Sequence, residues 1–419
     1  MPQLRRVVVV GASLAGLWSA RALRAEGFDG DLVVVGAEPH APYDRPPLSK
    51  GVLLGTSGPA DLALAEDGDE DLGVDWRLGV PAAGLDTDAR AVLLADGGEL
   101  PADGVVVATG ARARRPPGLH DAGALPAGVH VLRTLEDATA LAGELRPGRH
   151  LAVVGGGLLG GEVAAAGRAR GLEVTVLDRG DAPVRGVFGA RVGDAVARRH
   201  TAAGVRWRTG AAVTGVGTGA GGAPEVRLAG GEVVAADVVV AAVGADPATD
   251  WLRDARVAGA DREAVELADP ALGVVTDDRG ATAAPWLVAV GDAAAVRGPD
   301  GRARREEHWT PAVERPAVAA RTLLSGGAST DRFGAVPYVW SDLRWSGADA
   351  PDPLAVRVQL AGRPEPGDEE SLVEGGPEEG PLVAAWHRDG RLTAVAALSS
   401  PRTFGRLRRE LRRAAATTG

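Results

Sequence analysis

The sequence of 419 residues contains no cysteine. This absence excludes disulfide bonds, cysteine-ligated metal or iron–sulfur centres, and a redox-active dithiol within the chain. Positive charge is in deficit, because 46 lysine and arginine residues face 56 acidic ones and the formal net charge is −10. A nucleic-acid partner is therefore not expected. No apolar run approaches the ~18 residues that a membrane-spanning helix requires, and a strand pattern begins almost at once, so we expect no membrane partner, no signal peptide and a cytoplasmic location.

Lysine is almost absent, since Lys50 is the only one in the chain. Isoleucine and asparagine are missing altogether, a bias typical of a GC-rich genome. Arginine replaces a surface lysine at little cost, whereas a site that needs a compact ammonium group does not accept the planar guanidinium. Lys50 is therefore a candidate functional residue, and the alternative is that it survived by drift.

One arrangement is repeated twice along the chain. Each copy has an apolar strand, a glycine turn, an alanine-rich helix and a second apolar strand. In the first copy these are residues 6–10, 11–16, 17–26 and 31–35, and in the second 151–154, 155–160, 161–170 and 173–177. Short, fully apolar strands that alternate with helices are typical of buried parallel sheet. The sequence therefore predicts two βαβ units.

Both glycine turns have the features of a dinucleotide site. Backbone N–H groups at a helix N-terminus bind a pyrophosphate, and glycine lets the backbone approach it closely. Glu38 and Asp178 follow the second strand of their copies, where an acid accepts hydrogen bonds from the adenosine ribose. Two bound dinucleotides are predicted, although Ser13 replaces the middle glycine of the first turn. Asp178 would repel a 2′-phosphate, so NADH is the preferred nucleotide, although the adjacent Arg179 weakens this preference over NADPH.

The pattern changes after about residue 322. Alternating apolar and polar residues predict an antiparallel sheet, with strands at 337–342, 354–360, 382–387 and 392–398. We interpret the stretch 363–380, rich in Gly, Pro and Glu, as an exposed loop. The last helix of the chain is rich in arginine, and we interpret its arginine-bearing face as exposed to solvent.

Five motifs follow one another in a specific order. They are Glu-Pro-His-Ala-Pro-Tyr-Asp-Arg-Pro-Pro-Leu-Ser-Lys (38–50), Val-Ala-Thr-Gly (107–110), Gly-Asp-Ala (291–293), Glu-His-Trp-Thr-Pro-Ala (307–312) and Pro-Tyr-Val-Trp-Ser-Asp (337–342). With these motifs nearly the whole chain resembles the FAD-dependent ferredoxin reductases of the putidaredoxin reductase type, which supply electrons to oxygenases. The resemblance implies the pyridine nucleotide-disulfide oxidoreductase fold without its dithiol. The missing cysteine argues against the glutathione or lipoamide reductase branch.

The resemblance implies an α/β fold with two Rossmann-like dinucleotide-binding domains, the NAD domain being inserted in the FAD domain. A C-terminal α/β interface domain with an antiparallel sheet completes it. The implied boundaries are 1–112 and 239–321 for the FAD-binding domain, 113–238 for the NAD-binding domain and 322–419 for the interface domain.

The same resemblance implies which residues contact the cofactors FAD and NADH. For FAD they are Gly11, Ser13, Leu14, Ala15, Gly16, Glu38, Arg45, Lys50, Val80, Ala108, Thr109, Gly110, Arg133, Gly291, Asp292 and Trp309. For NAD they are Gly155, Gly157, Leu158, Leu159, Gly160, Glu162, Asp178, Arg179, Val243 and Gly244. Lys50 would lie near flavin N5 and form a catalytic pair with Glu162. The only lysine of the chain thus falls beside the reacting flavin atom, which argues strongly against survival by drift.

The implied function is electron transfer from NADH through FAD, one electron at a time, to a [2Fe–2S] ferredoxin that serves an oxygenase. An acidic ferredoxin would dock near Arg302, Arg304 and Arg305 by electrostatic steering, although a solvated loop accounts for these residues equally well. Two alternatives stay open: an NADH-reduced flavoprotein with a binding or sensing role, as in the apoptosis-inducing factor branch, and a diaphorase that reduces quinone or oxygen. Departures from the family pattern at Pro311 and at 315–316 and 343–344 concern the flavin's pyrimidine contact and the partner surface.

Overall fold

The structure is a computed structural model that describes residues 4–116, 118–119, 123–182, 184–219, 221–258, 264–298, 300–334, 336–346, 356–376 and 380–416. Its helices are α1 (Leu14–Ala25), α2 (Gly51–Leu54), α3 (Leu135–Glu144), α4 (Leu158–Ala169), α5 (Arg185–Ala202), α6 (Trp309–Leu324) and α7 (Pro401–Ala416). Its strands are β1 (Arg6–Val10), β2 (Asp31–Gly36), β3 (Val74–Leu78), β4 (Ala82–Asp86), β5 (Ala91–Leu94), β6 (Glu99–Pro101), β7 (Gly104–Val107), β8 (Ala111–Ala113), β9 (Val129–His130), β10 (His150–Val154), β11 (Glu173–Leu177), β12 (Val205–Arg208), β13 (Val213–Thr218), β14 (Pro224–Leu228), β15 (Val233–Ala235), β16 (Val238–Ala241), β17 (Ala245–Pro247), β18 (Arg256–Ala258), β19 (Ala264–Glu266), β20 (Val274–Thr276), β21 (Leu287–Ala289), β22 (Ala294–Arg297), β23 (Ala303–Arg305), β24 (Tyr338–Leu343), β25 (Val356–Gly362), β26 (Glu369–Glu374), β27 (Leu382–Arg388) and β28 (Arg391–Leu398).

The chain forms two compact units. The first comprises Met1–Asp44, Ala63–Arg112 and Ala245–Gly334, and the second comprises Arg45–Leu62, Ala113–Gly244 and Ala335–Gly419. The predicted NAD-binding segment and most of the C-terminal segment therefore both belong to the second unit. The division into three domains stays a proposal.

The first unit is built on a parallel sheet in the order β21-β7-β1-β2-β3. Its central strand β1 is apolar from Val7 to Val10 because both faces of this part are covered. Val8 and Val10 belong to one buried cluster, whereas Val7 and Val9 pack in a second cluster with residues of α1 and α6.

Asp103 fixes the beginning of β1. Its carboxylate accepts hydrogen bonds from the backbone N–H groups of Arg6 (2.9 Å) and Arg5 (2.8 Å), and these bonds hold the pKa of Asp103 below its usual value. A lowered pKa contributes stability above the unfolded value of about 3.9, and this contribution is lost as the pH falls through the folded value.

We expect Asp103→Ala to lower the free energy of unfolding by about 1–3 kcal/mol near neutral pH, because two hydrogen bonds to a charged acceptor are lost. The difference from the wild type should shrink as the pH falls below about 4. Denaturant titrations of both proteins across this pH range measure it. A difference that stays constant down to acid pH would contradict the assigned role of the carboxylate.

The second unit contains a five-stranded parallel sheet and a five-stranded antiparallel sheet. The parallel sheet has the order β12-β11-β10-β16-β9, and residues of the β13-β14-β15 sheet belong to the buried cluster on one of its faces. The antiparallel sheet has the order β24-β25-β28-β27-β26. Residues of α5 belong to the buried cluster on one face of it and residues of α7 to the cluster on the other. The predicted α/β class, with two Rossmann-like sheets and an antiparallel sheet, is confirmed.

The predicted extent of some elements was wrong. Helices α1 and α4 begin three residues earlier than expected, at Leu14 and Leu158, because the glycine turn itself supplies the first helical turn. The stretch 363–380 is not simply a loop, since it contains β26, which pairs with β27. Glutamates at both ends of β26 suit the edge of a sheet, where charge discourages pairing with other chains. Residues 354–355 of a predicted strand lie outside the described residues.

Candidate functional site

The glycine turn of the first unit brings helix α1 into close contact with the sheet. Gly11 has φ +122°, and a Cβ on it would lie 2.1 Å from Ala108 O. A Cβ on Gly16 would lie 1.8 Å from Gly11 O. Both positions therefore require glycine. Ser13 precedes the helix, and Leu14 and Ala15 form its first turn, so the N-terminus of α1 is presented just beyond β1.

The other predicted FAD residues of this unit converge on the same edge of the sheet. They follow the carboxyl ends of β2, β3, β7 and β21: Glu38, Val80, Ala108, Thr109, Gly110, Gly291 and Asp292. A Cβ on Gly291 would lie 2.9 Å from Ala15 Cβ, which places this turn against the start of α1. Ligands of open α/β sheets bind at the carboxyl ends of the strands. The structure therefore brings these predicted residues together around one helix N-terminus.

The residues at this edge fit a dinucleotide. Thr109 Oγ1 is buried and has no hydrogen-bond partner among the described residues, as expected for a hydroxyl that a ligand satisfies. Glu38 is half-buried and accepts a hydrogen bond of 2.5 Å from the Tyr43 hydroxyl. Trp309 begins α6, is 40% exposed, and its Nε1 donates to Asp44 at 3.3 Å.

The second unit repeats this geometry. Gly155 has φ +104°, and a Cβ on it would lie 2.3 Å from Ala242 O. A Cβ on Gly160 would lie 1.9 Å from Gly155 O. Leu158 and Leu159 begin α4. Val243 and Gly244 follow the carboxyl end of the neighbouring strand β16, so all the predicted NAD residues of this edge surround the N-terminus of α4.

Asp178 lies at the end of β11 and closes the same turn. Its carboxylate accepts hydrogen bonds from Gly156 N and from Gly180 N, the latter at 2.6 Å. Asp178 is half-buried, whereas Arg179 is exposed. The acid predicted to bind the ribose is thus held by the glycine turn, while Arg179 extends from it into solvent.

The middle and last glycines of the second turn provide a matched pair of substitutions. Apart from its own helix and chain neighbours, no atom of the described residues lies within 4 Å of a Cβ built on Gly157. Gly157→Ala should therefore fold normally, and its methyl group should meet the pyrophosphate of the nucleotide. We expect NADH to bind about tenfold more weakly, because the closest approach of backbone to phosphate is lost. Gly160→Ala, by contrast, should lower the melting temperature, since its Cβ meets a backbone oxygen. Calorimetric NADH titration and thermal melts measure both effects, and an unstable Gly157→Ala protein would contradict the assignment.

Lys50 and Glu162 form the charged centre of a second cluster of polar residues in this unit. Lys50 Nζ lies 2.8 Å from Glu162 Oε1, and the side chains are 19% and 7% exposed. Lys50 also donates to Pro46 O at 3.1 Å, and its Nζ lies 5.7 Å from the centroid of the Trp340 ring. The predicted lysine–glutamate pair is therefore present in the structure.

Sequence reasoning missed two residues of this cluster. Ser49 Oγ donates to Glu162 Oε2 at 2.5 Å, and Ser341 Oγ donates to Glu162 Oε1 at 2.6 Å. Both serines lie within the motifs that carry the resemblance, beside Lys50 and Trp340. Their position in those motifs was the available signal, but serine is too common for its type to indicate a role.

The two predicted FAD-binding arginines of the second unit are linked to each other. Arg45 Nη1 donates to Arg133 O at 2.7 Å. Arg133 N donates to Asp137 Oδ2 at 2.9 Å, and Thr134 and Asp137 form the capping box of α3. The start of α3 thus holds Arg133 and, through it, Arg45. The contact of both arginines with FAD stays a prediction.

Comparison with known proteins places the chain in a family. The family model described as pyridine nucleotide-disulphide oxidoreductase matches residues 5–315. The chain belongs to that family. The oxidoreductase is 36% identical over 398 residues to the ferredoxin reductase component of chlorobenzene dioxygenase from Cupriavidus sp. (strain PS12), covering 95% of this chain and 90% of the relative. It is 35% identical to the ferredoxin–NAD(+) reductase subunit of the benzene 1,2-dioxygenase system of Pseudomonas putida, again covering 95% and 90%.

A solved structure agrees with these relatives. The oxidoreductase superposes on a covalent putidaredoxin reductase–putidaredoxin complex with a TM-score of 0.85 and 28% identity, covering 97% of this chain and 93% of that chain. The resemblance to ferredoxin reductases is thus confirmed, and membership of this family implies the two predicted cofactors, FAD and NAD(H). Among the described residues, no helix is long and apolar enough to cross a membrane.

Proposed function

We propose that the chain is an NADH-dependent ferredoxin reductase that passes electrons from NADH through FAD, one at a time, to a [2Fe–2S] ferredoxin serving an oxygenase. The observation that carries the proposal is the repeated site: two parallel sheets, each with a glycine turn at a helix N-terminus and an acid at the end of the next strand. The names of the relatives, which are reductase components of dioxygenase systems, support the direction of electron flow. We propose a cytoplasmic location as part of this function.

The residues of the chain have separate tasks in this proposal. The backbone N–H groups of the two turns bind the pyrophosphates, and Glu38 and Asp178 bind the adenosine riboses. FAD held by these residues would supply the redox chemistry, namely the exchange of a two-electron hydride for single electrons. Lys50, held by Glu162, supplies a fixed positive charge in a partly buried site, where charge acts more strongly than in water.

The test begins with the visible spectrum of the purified protein and an anaerobic titration with NADH and then NADPH. Flavin bands that are bleached by about one equivalent of NADH are expected. Addition of an oxidised [2Fe–2S] ferredoxin should then restore the flavin bands rapidly. A reduced protein that persists with negligible turnover would favour a sensing role, and fast reoxidation by quinone or oxygen alone would favour a diaphorase. A colourless protein that FAD does not reconstitute would refute the proposal.

We propose that the ferredoxin docks near Arg302, Arg304 and Arg305. Charge complementarity to an acidic ferredoxin supports this surface, but acidic neighbours partly neutralise it. Arg304 lies 2.9 Å from Asp300 Oδ1, and Arg305 is paired with Glu307. Arg302 is exposed, and we expect it to contribute most to the attraction.

Arg302→Glu should raise the KM for ferredoxin by about three- to tenfold at low salt, with a smaller effect at high salt because the charges are then screened. Steady-state assays at both ionic strengths measure this change. Arg406→Glu, on the exposed face of α7, is the matched control that reverses one charge elsewhere. A larger increase in the KM for ferredoxin from the α7 variant would indicate that ferredoxin docks at that helix instead.

A further inference from the structure

Glu162 is a buried carboxylate that two serine hydroxyls contact from different parts of the chain. Ser49 bonds to Oε2 at 2.5 Å, and Ser341 bonds to Oε1 at 2.6 Å. The two serines are 4% and 0% exposed. Since Lys50 also approaches Oε1 at 2.8 Å, the same oxygen receives both the ammonium group and the Ser341 hydroxyl.

The carboxylate needs such contacts to hold one orientation. The terminal torsion of a glutamate side chain is broad, so packing of the aliphatic part does not fix the plane of the two oxygens. Hydrogen bonds on both oxygens do fix it. Ser49 directly precedes Lys50 and belongs to the same short segment, so it gives no independent reference for the lysine. Ser341 lies on β24 of the antiparallel sheet and supplies one.

Strand β24 is itself well anchored near Ser341. It pairs antiparallel with β25 along its whole length. Asp342 and Arg357 form a bidentate pair across these strands, with two bonds of 2.7 Å, and Arg357 lies 5.6 Å from the centroid of the Trp340 ring. Ser341 therefore presents its hydroxyl from a strand whose neighbouring side chains are held in place.

We propose that Ser341 is a positioning residue: its hydroxyl orients the Glu162 carboxylate and through it the ammonium group of Lys50. The expected effect on electron transfer rests on the proposed function, whereas the orientation of Glu162 and Lys50 by Ser341 does not. In this proposal the antiparallel sheet contributes a positioning residue to the site around Lys50. Neither the residue type of Ser341 nor the resemblance to ferredoxin reductases assigns it this role.

The single lysine of the chain gives this proposal a direct test. Biosynthetic labelling with 15N-lysine yields one side-chain ammonium resonance in the full holoprotein. We expect Ser341→Ala to speed the exchange of the Lys50 ammonium protons with water by about tenfold, because a charge-assisted hydrogen bond that orders the pair is lost. Ser341→Thr keeps the hydroxyl and should stay within about twofold of the wild type.

Ser371→Ala is the matched control. Ser371 lies on β26 of the same sheet, where its hydroxyl donates to Ala385 O at 3.3 Å. The control should leave the lysine exchange rate unchanged. If Ser341→Ala does not fold, Ser341→Cys replaces it, since a thiol of similar size is a weak donor. A lysine exchange rate in Ser341→Ala, or in Ser341→Cys where that variant replaces it, equal to that of Ser371→Ala would overturn the proposal.

A second measurement separates this inference from the proposed function. In stopped-flow experiments, Ser341→Ala should slow the reduction of the flavin by NADH by about tenfold, with the affinity for NADH unchanged and with rescue by Ser341→Thr. If the wild type is not reduced by NADH at all, the proposed function fails, while the exchange measurement still reports on Ser341. If exchange speeds up but reduction does not slow, Ser341 orders the pair without positioning it for the reaction, and the inference is refuted.

Discussion

Replacement of Lys50 by methionine is expected to slow the reduction of the bound flavin by NADH by about 100-fold, the usual cost of removing one preorganised charge from a reacting site. Methionine has nearly the length of lysine without its charge. The ammonium group is fixed by Glu162 at 2.8 Å and by Pro46 O at 3.1 Å, so it needs little rearrangement as charge develops. Stopped-flow reduction at saturating NADH measures the effect, and the affinity for NADH should change little.

The same substitution should also lower stability. Removal of one partner from a buried ion pair leaves the other charge uncompensated, and we expect a loss of about 3 kcal/mol, at the low end of the usual range because Lys50 is 19% exposed. The double variant Lys50→Met/Glu162→Gln removes the stranded charge and should recover most of this stability. It should not recover the rate of flavin reduction.

Lys50→Arg is the matched control for charge alone. It keeps one positive charge, but the planar guanidinium is larger and directs its donors differently. We expect Lys50→Arg to retain much of the wild-type stability but only part of the wild-type rate of flavin reduction. Wild-type reduction rates in Lys50→Met would refute the catalytic role, and the ion pair of Lys50 with Glu162 would then be structural.

The sequence predicted the elements whose physical cause is local. The strand β1 and its glycine turn are recognisable because a fully apolar run followed by closely spaced glycines is typical of a buried strand that turns tightly into a helix. The same holds for Asp178, which stands at a fixed distance beyond the second turn. The rarity of lysine singled out Lys50, the resemblance predicted its pairing with Glu162, and the structure contains the pair.

Other parts of the site depend on contacts between residues distant in sequence. Ser341 reaches Glu162 only because β24 folds against α4, and nothing in the local pattern of β24 indicates that contact. Strand β26 was missed for a related reason, since its glutamates suit a loop until β27 pairs with it. Tertiary pairing decides both cases, and single-sequence patterns carry little information on it.

Asp178 determines how tightly NADH is expected to bind. Asp178→Ala should weaken NADH binding by up to about 100-fold, because ribose hydroxyls lose a charged acceptor. The variant also removes the acceptor for Gly156 N and Gly180 N, which loosens the glycine turn. Asp178→Asn keeps one oxygen acceptor for these donors, so it should lose less affinity for NADH than Asp178→Ala. Calorimetric titration of each protein with NADH gives the dissociation constants, and an unchanged affinity in Asp178→Ala would place the ribose elsewhere.

The response to NADPH distinguishes Asp178 from Arg179. In the wild type, the carboxylate should repel a 2′-phosphate, so NADH is expected to bind better than NADPH. Asp178→Ala removes the repulsion and leaves the exposed Arg179 able to pair with the phosphate, so NADPH should bind at least as tightly as in the wild type. Arg179→Ala in the Asp178→Ala background should then weaken the binding of NADPH and leave the affinity for NADH unchanged. A wild-type preference for NADPH would show that Arg179 outweighs the acid, because an exposed arginine can swing toward the phosphate while the carboxylate stays bound to the turn.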